Sequence, residues 1–397
     1  MGNSVLLGVT GGIAAYKIPA LVRLLTSAGM DVNVVMTRNS TNFVTPLTLA
    51  TLSGNRVCLD MWTNPDRPSV EHIELADKAD IAVIAPATAN FIGKMANGIA
   101  DDMLSTVILA LKSPIIVCPS MNVNMFENVV VQQNINKLGE MGCLVMSPDS
   151  GYLACGWTGP GRMPEPEEIF VEIQSALTKK DLSGLRILVT AGPTQEPLDP
   201  VRFITNKSSG KMGVSIARRA LFRGASVDLV SGPISVEPPR GVNQVKVKTA
   251  SEMMDRVLEL APYCDIIIKA AAVADFSCEN MSDSKIKKDS FDGILKLRRN
   301  PDILKELGQR KRAGQILAGF AAETANAVEN AQSKLNSKNL DVIVVNDVTQ
   351  PGAGFDCDTN IVKLIFKTGR QMDLELMSKE EVADQILNEC IGLLKKA

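Results

Sequence analysis

The chain opens the same way twice, and that repetition constrains its fold more than any other feature. Residues 5–9 are a short apolar run closed by Thr10-Gly11-Gly12. A helical pattern follows in which Ile18, Leu21, Val22 and Leu25 share a face, Gly29 stands where that helix would stop, and residues 31–36 are apolar again. Strand, glycine turn, helix and strand in this order make a βαβ unit. The order recurs from residue 186: an apolar run at 187–190, the turn Ala191-Gly192-Pro193, and a long polar stretch TQEPLDPVRFITNKS. Then come a glycine-rich entry and helix in SGKMGVSIARRALFRGA, a stop at Gly224 and a run at 226–230. Further runs at 81–85, 115–118, 266–270 and 342–345 are continuously apolar, the pattern of strands covered on both faces. Both halves therefore read as doubly wound α/β domains with mostly parallel sheets. Between them, MPEPEEIFVEIQSALTKKDLSG reads as a helix from about Pro166 and then a polar turn. The boundary is placed near residue 183, giving domains 1–183 and 184–397.

Composition excludes several functions. The 397 residues carry 42 basic and 44 acidic side chains for a net charge of −2, with no basic stripe, and aromatics are only 4%, so nucleic acid is not the expected partner. No apolar run approaches the roughly 20 residues that span a bilayer. MGNSVLLGVTGG lacks the basic n-region of a signal peptide, so the expected location is the cytoplasm, with no membrane partner. The 8 cysteines include no close ligand pair and are too dispersed for a disulfide scaffold, so free thiols are expected.

In open α/β sheets ligands sit beyond the carboxyl ends of the strands. At those ends of the first half lie Gly11 and Gly12, the hydroxyls of Thr37, Ser40 and Thr41, Thr88 and Asn90 in APATAN, and Asn122 and Asn124 in CPSMNVNMF. Free N–H groups at a glycine turn before a helix can hold a phosphate, although such a turn is as readily structural. The only histidine, His72, lies in SVEHIELADKAD. A lone histidine is more often a surface or satisfied core residue than a catalyst, and the residues alone leave its role open.

Four motifs in order, GVTGGIAAYK, EHIELADKADIAVIAPATAN, PSMNVNMF and YLACGWTGPGRM, resemble the decarboxylase half of the bifunctional bacterial coenzyme A biosynthesis flavoproteins. That half is a phosphopantothenoylcysteine decarboxylase of the flavin-containing cysteine decarboxylase family. The resemblance implies a flavodoxin-like or Rossmann-like flavoprotein domain that binds FMN through Gly11, Gly12, Ile13, Thr37, Ala87, Thr88, Ala89 and Asn90. It makes His72 the active-site histidine, Asn122 the holder of the substrate carboxylate, and Cys155 the donor of the last proton. A carboxylate beside an sp³ carbon has no electron sink. A flavin that takes two electrons from the cysteinyl thiol creates one, and an acid must then protonate the product. Ser120 and Phe126 stand where the family has alanine and tryptophan, and Trp157-Thr158 replaces a more polar pair.

The second half has a nucleotide-binding look without a Walker loop, because Met212 follows Gly210-Lys211. Asp275, Lys285, Lys287 and Lys288 follow an apolar run, and Lys334 and Lys338 are spaced i, i+4, so that one helix face can present both. A lysine cluster is commonly just a solvated loop. From about residue 186 to 358, however, the chain resembles the phosphopantothenate–cysteine ligase half of the same bifunctional family. That implies a Rossmann-like domain in which CTP activates the carboxylate of 4′-phosphopantothenate and the amine of cysteine attacks the acyl-cytidylate. By this resemblance Asn206 and Arg202 hold the acyl-cytidylate, and Lys285 serves the activation step. Ala270, Ala271, Asp275, Pro301, Asp302, Ile303, Leu304, Phe320, Lys334 and Lys338 line the nucleotide site. Mg²⁺ accompanies CTP, near Asp275. The segment QPGAGFDCDTN resembles a loop that crosses between subunits, so the expectation is a homo-oligomer with trimeric flavin domains and dimeric ligase domains.

Three other functions compete with this one: a flavin-dependent peptidyl-cysteine decarboxylase with an unrelated nucleotide-binding domain, a non-catalytic nucleotide-binding protein, and an NAD-linked oxidoreductase. The lysine-rich second half opposes the first, and the lack of a clean GxGxxG opposes the last.

Overall fold

The computed structural model describes residues 2–61, 71–152, 158–287, 293–323, 327–347, 354 and 357–395. The chain divides into two compact units, Met1–Thr178 and Lys179–Ala397.

In the first unit, chain order runs β1 (Ser4–Val9), α1 (Ile18–Ser27), β2 (Asp31–Met36), α2 (Pro46–Ser53), α3 (Glu71–Lys78), β3 (Ile81–Ala87), α4 (Ala89–Asn97), α5 (Met103–Ala110) and β4 (Ile115–Pro119). It continues with α6 (Val123–Phe126), α7 (Val129–Glu140), β5 (Leu144–Val145), β6 (Asp149–Tyr152), β7 (Thr158–Arg162) and α8 (Pro166–Leu177). The strands β1 to β5 form one parallel sheet in the order β2-β1-β3-β4-β5. Alternate residues of β1 feed two cores. Val5, Leu7 and Val9 pack with Ile18, Leu21 and Leu25 of α1 and Ile169 and Ile173 of α8, whereas Leu6 joins Phe91, Ile92, Leu104 and Leu138 on the other face. Burying each such side chain contributes about 1.5–3 kcal/mol, which explains why the continuous apolar runs are interior strands. Gly29 takes a φ of +76° just past the end of α1, the left-handed turn that ends many helices. Because β1 leads to β2 on one side and to β3 on the other, the sheet has a switch point between β1 and β3.

The second unit begins with β8 (Arg186–Ala191), β9 (Gln195–Pro197), β10 (Phe203–Thr205), α9 (Lys211–Phe222), β11 (Ser226–Ser231), β12 (Asn243–Lys246), α10 (Ala250–Leu260), β13 (Ile266–Lys269), β14 (Phe276–Cys278) and β15 (Leu297–Arg299). It ends with α11 (Ile303–Arg310), β16 (Ile316–Glu323), α12 (Ala327–Ser337), β17 (Val342–Asp347), β18 (Thr359–Phe366), β19 (Gln371–Ser378) and α13 (Lys379–Leu394). Eight strands form a sheet in the order β12-β11-β8-β13-β16-β17-β18-β19. It is parallel from β12 to β17 and antiparallel from β17 to β19. The expected mostly parallel α/β architecture is present in both units. The apolar runs did not announce the antiparallel pair, because β18 alternates buried and half-buried residues over much of its length, as an outer strand does. Here the switch point falls between β8 and β13.

Candidate active sites at the two switch points

At the first switch point the strand ends are tied together. The Thr10 hydroxyl donates to the Pro86 carbonyl at 2.6 Å and accepts from the Thr88 N–H at 3.1 Å. Thr88 in turn caps the N-terminus of α4, accepting from Phe91 N–H. Beyond these ends lies a cavity of 780 Å³. Gly11, Gly12, Ile13, Thr37, Thr88, Ala89, Asn90 and Asn122 line it. Ala87 is fully buried at the end of β3 and holds the Ser120 N–H through its carbonyl, so it contributes support. A Cβ at Gly11 would stand 2.5 Å from the Cβ of Asn39, so a larger residue there would push the 37–42 turn away. Asn122 caps α6, accepting from Asn124 N–H at 2.8 Å.

The electrostatics of this cavity were missed in the sequence. Among the described residues Lys17, Arg38, Lys94, Arg162 and Asp102 line it, and Glu165 just behind the wall pairs with Lys17 at 2.6 Å and with Arg162 at 3.4 Å. These cations come from four separate segments, and no local pattern groups them. Burial opposes the charge on Lys94, but hydrogen bonds to Asp101 at 2.6 Å and Asp102 at 3.1 Å outweigh it and hold its pKa above the usual lysine value. Ile13, Phe91, Met121, Met125 and Met163 supply an apolar wall. A flat apolar ring bearing a phosphate fits such a cavity: the wall takes the ring, and the glycine turn with the cations takes the anion. FMN meets that description.

The hairpin of β6 and β7 closes on Asn122's turn. Met121 N–H donates to the Gly161 carbonyl at 3.0 Å, and Gly161 has a φ of +138°. A Cβ on Gly161 would lie 2.3 Å from the Met121 carbonyl oxygen, and one on Gly159 would lie 2.8 Å from Val123. These glycines permit the hairpin to pack closely against the 121–123 turn. Cys155 lies outside the described residues. His72 is the second residue of α3 and does not line the cavity within one chain. Its neighbour Glu71 accepts from the Cys58 thiol at 3.3 Å, and burial with the adjacent Glu71 carboxylate pushes that thiol up to about 12, so it stays protonated.

At the second switch point the turn after β13 is pinned from three sides. Ala271 N–H donates to the Thr190 hydroxyl at 3.1 Å, Ala272 N–H to the Gly192 carbonyl at 2.9 Å and Ala274 N–H to the Thr194 hydroxyl at 3.0 Å. The Asn206 amide donates to the carbonyls of Val273 at 3.0 Å and Ala272 at 3.4 Å. The Asn300 amide donates to the Ala274 carbonyl at 2.8 Å, and Asn300 N–H to the Asp275 carbonyl. Expected residues Ala270, Ala271, Asp275 and Asn206 therefore meet here. Asp302 caps α11 and pairs with Lys338 at 2.8 Å, which brings 301–304 to the same edge. Burial works against its charge, but the Lys338 bond and Lys305 N–H keep the Asp302 carboxyl below the ordinary range. Ile303 and Leu304 are buried in the core, so their side chains serve packing, and Phe320 is half-buried against the opposite core. Lys338 lies one residue past α12, yet its N–H still donates to the Lys334 carbonyl, so the two lysines keep helical spacing.

Arg202 and Lys285 form a second group. Arg202 clamps Asp199 through Nε at 3.0 Å and Nη2 at 2.6 Å, and donates to the Ile286 carbonyl. The Arg202 guanidinium holds the Asp199 carboxyl far below the usual range. Lys285 is exposed beside this clamp and makes no hydrogen bond or ion pair to the described residues. Lys288 lies outside the described residues. Among the described residues no three of His, Cys, Asp and Glu gather as a metal nest, and no helix is long and apolar enough to cross a membrane.

Both halves match known domains. The Flavoprotein family matches residues 1–178, and the DNA/pantothenate metabolism flavoprotein C-terminal domain matches residues 182–393. Over the whole chain, the Coenzyme A biosynthesis bifunctional protein CoaBC of Bacillus subtilis (strain 168) is 47% identical, covering 99% of this chain and 98% of its own. The Haemophilus influenzae protein of that name is 44% identical over 100% of this chain and 98% of its own. A Cysteine/Cysteine sulfinic acid decarboxylase from an unknown prokaryotic organism is 45% identical over 88% of this chain and 99% of its own. The chain belongs to the family of bifunctional coenzyme A biosynthesis proteins.

Proposed function

We propose that the chain performs two consecutive steps of coenzyme A biosynthesis. The second unit joins 4′-phosphopantothenate to cysteine at the expense of CTP, presented as its Mg²⁺ complex. The first unit decarboxylates the resulting 4′-phospho-N-pantothenoylcysteine to 4′-phosphopantetheine with FMN. The observation that carries this reading is one chain with a site at each switch point, one shaped for a flat ring with a phosphate and one edged with lysines.

In the ligase two polyanions must meet, and Lys334, Lys338 and Lys285 offset their repulsion as the carboxylate approaches the α-phosphorus. The 271–274 turn, held by Asn206, receives the nucleotide, and the Arg202–Asp199 clamp positions Lys285. In the decarboxylase, Arg38 on the cavity wall attracts anions, with Lys17, Lys94 and Arg162 held in place by Glu165, Asp101 and Asp102, and Asn122 holds the substrate carboxylate. When bound, FMN accepts two electrons from the substrate thiol and returns them after CO₂ has left. Cys155 then gives the product its proton. His72 stands away from the cavity within one chain, which supports a homo-oligomer in which the histidine of one copy serves the cavity of another: trimeric flavin units, with dimeric ligase units.

The test incubates the protein with 4′-phosphopantothenate, cysteine, CTP and Mg²⁺ and follows products by mass. Wild type is expected to give 4′-phosphopantetheine. His72→Asn is expected to accumulate 4′-phospho-N-pantothenoylcysteine, and Lys285→Gln to make neither product from 4′-phosphopantothenate. Release of CO₂ from free cysteine alone, at the rate seen with the phosphopantothenoyl substrate, would overturn the substrate assignment.

A further inference from the structure

Lys269 ends β13 after three isoleucines, at the centre of the eight-stranded sheet. Its register partners are Thr190 of β8 and Gly319 of β16, so it sits on the switch point itself. It is half-buried, and among the described residues its one hydrogen bond goes to a neutral acceptor, the Ala271 carbonyl at 3.0 Å. Around it stand Lys334 and Lys338 at the end of α12, Asp302 at the start of α11 and Asp275 after the turn. Asp302 is already paired with Lys338. An amine in a sheet centre that bonds only a neutral carbonyl, within a group of three lysines against two aspartates, is costly unless an anion comes to it. Burial and the Lys338 charge lower its pKa to about 8, in keeping with that deficit.

We infer that Lys269 is a positioning residue for the nucleotide. It fixes the turn through Ala271 and adds its charge to those of Lys334 and Lys338 where the triphosphate arrives. The inference rests on the ligase reading above. It concerns binding of the nucleotide, so Lys269→Met is expected to raise the KM for CTP at least about tenfold while changing kcat less than about threefold. Lys269→Arg is expected to recover most of that KM, because a guanidinium restores both the charge and a donor toward Ala271.

Both variants are assayed as full-length protein by pyrophosphate release with saturating 4′-phosphopantothenate and cysteine. Decarboxylation of supplied 4′-phospho-N-pantothenoylcysteine serves as the control and is expected to stay at the wild-type rate. A CTP KM within twofold of wild type in Lys269→Met overturns the inference. So does a loss that falls on kcat alone, or one that arginine leaves unrepaired. Wild-type protein that releases no pyrophosphate with CTP overturns the ligase reading instead, and this inference with it.

Discussion

The α-carbon of Gly308 lies directly against the Lys338 carbonyl: a Cβ there would stand 1.9 Å from that oxygen. The contact is locked by Asn339, whose side chain donates to the Gly308 carbonyl at 3.0 Å and whose own φ is +51°. Helix α11 and the turn after α12 can approach this closely only because residue 308 has no side chain. The approach supports the Asp302–Lys338 pair at the nucleotide edge.

Gly308→Ala is therefore expected to push the 338–339 turn away. Overpacking of this kind costs about 1–3 kcal/mol. The second unit should melt about 2–4 °C lower for each kcal/mol lost, measured by calorimetry, and the KM for CTP should rise. A variant with unchanged melting and unchanged KM would show that the contact is relieved elsewhere.

Gly161→Ala tests the hairpin. Alanine at a φ of +138° is strained, and its Cβ would strike the Met121 carbonyl. The glycine turn at residues 11 and 12 is untouched, so the purified variant is expected to stay yellow. Decarboxylation should drop by about a hundredfold, since a displacement of about 1 Å at a reacting group has that effect. Colour and activity lost together would instead place Gly161 in flavin binding.

Asn122→Asp separates capping from recognition. Aspartate caps a helix as well as asparagine does, so the melting temperature should hold. A carboxylate set about 4 Å from the substrate carboxylate repels it by about 4 kcal/mol at an effective dielectric of about 20, roughly a thousandfold in kcat/KM. Steady-state decarboxylation kinetics read this directly, and a loss under tenfold would remove Asn122 from carboxylate binding.

Lys269 also shapes stability against pH. Its folded pKa is depressed to about 8, below the roughly 10.4 of an unfolded lysine. Between those values the unfolded chain binds a proton that the folded chain does not, so this site makes stability rise with pH through that window. Below about pH 8 the full burial penalty is present. Lys269→Met is therefore expected to resist urea better than wild type at about pH 7, with the gap closing toward about pH 10. Equal midpoints at both values would show that the folded amine keeps an ordinary pKa.

Much of the fold was legible because its signals are local. The run 4–9, the α1 face and Gly29 are read within one stretch of chain, and so is the second opening at 186–191. The outer pair β18 and β19 was not legible, because a half-exposed strand carries a weaker apolar signal. Glycine identity in GWTGPGRM was plain, but its purpose was not: Gly161 is small for the sake of Met121, forty positions earlier.

By itself the sequence determined two doubly wound α/β openings, the glycine at each turn, and the identity of the motif residues. Only the tertiary structure decided which side chains share a site. Thr10 meets Thr88 and Thr190 meets Ala271 because sheet order sets strand ends side by side across 78 and 81 positions. The same order gathers the cavity cations from separate segments, leaves His72 outside that cavity within one chain, and puts Lys269 at the second switch point. Periodicity reports how a residue faces its own element, whereas a site is made of residues that only long-range pairing brings together.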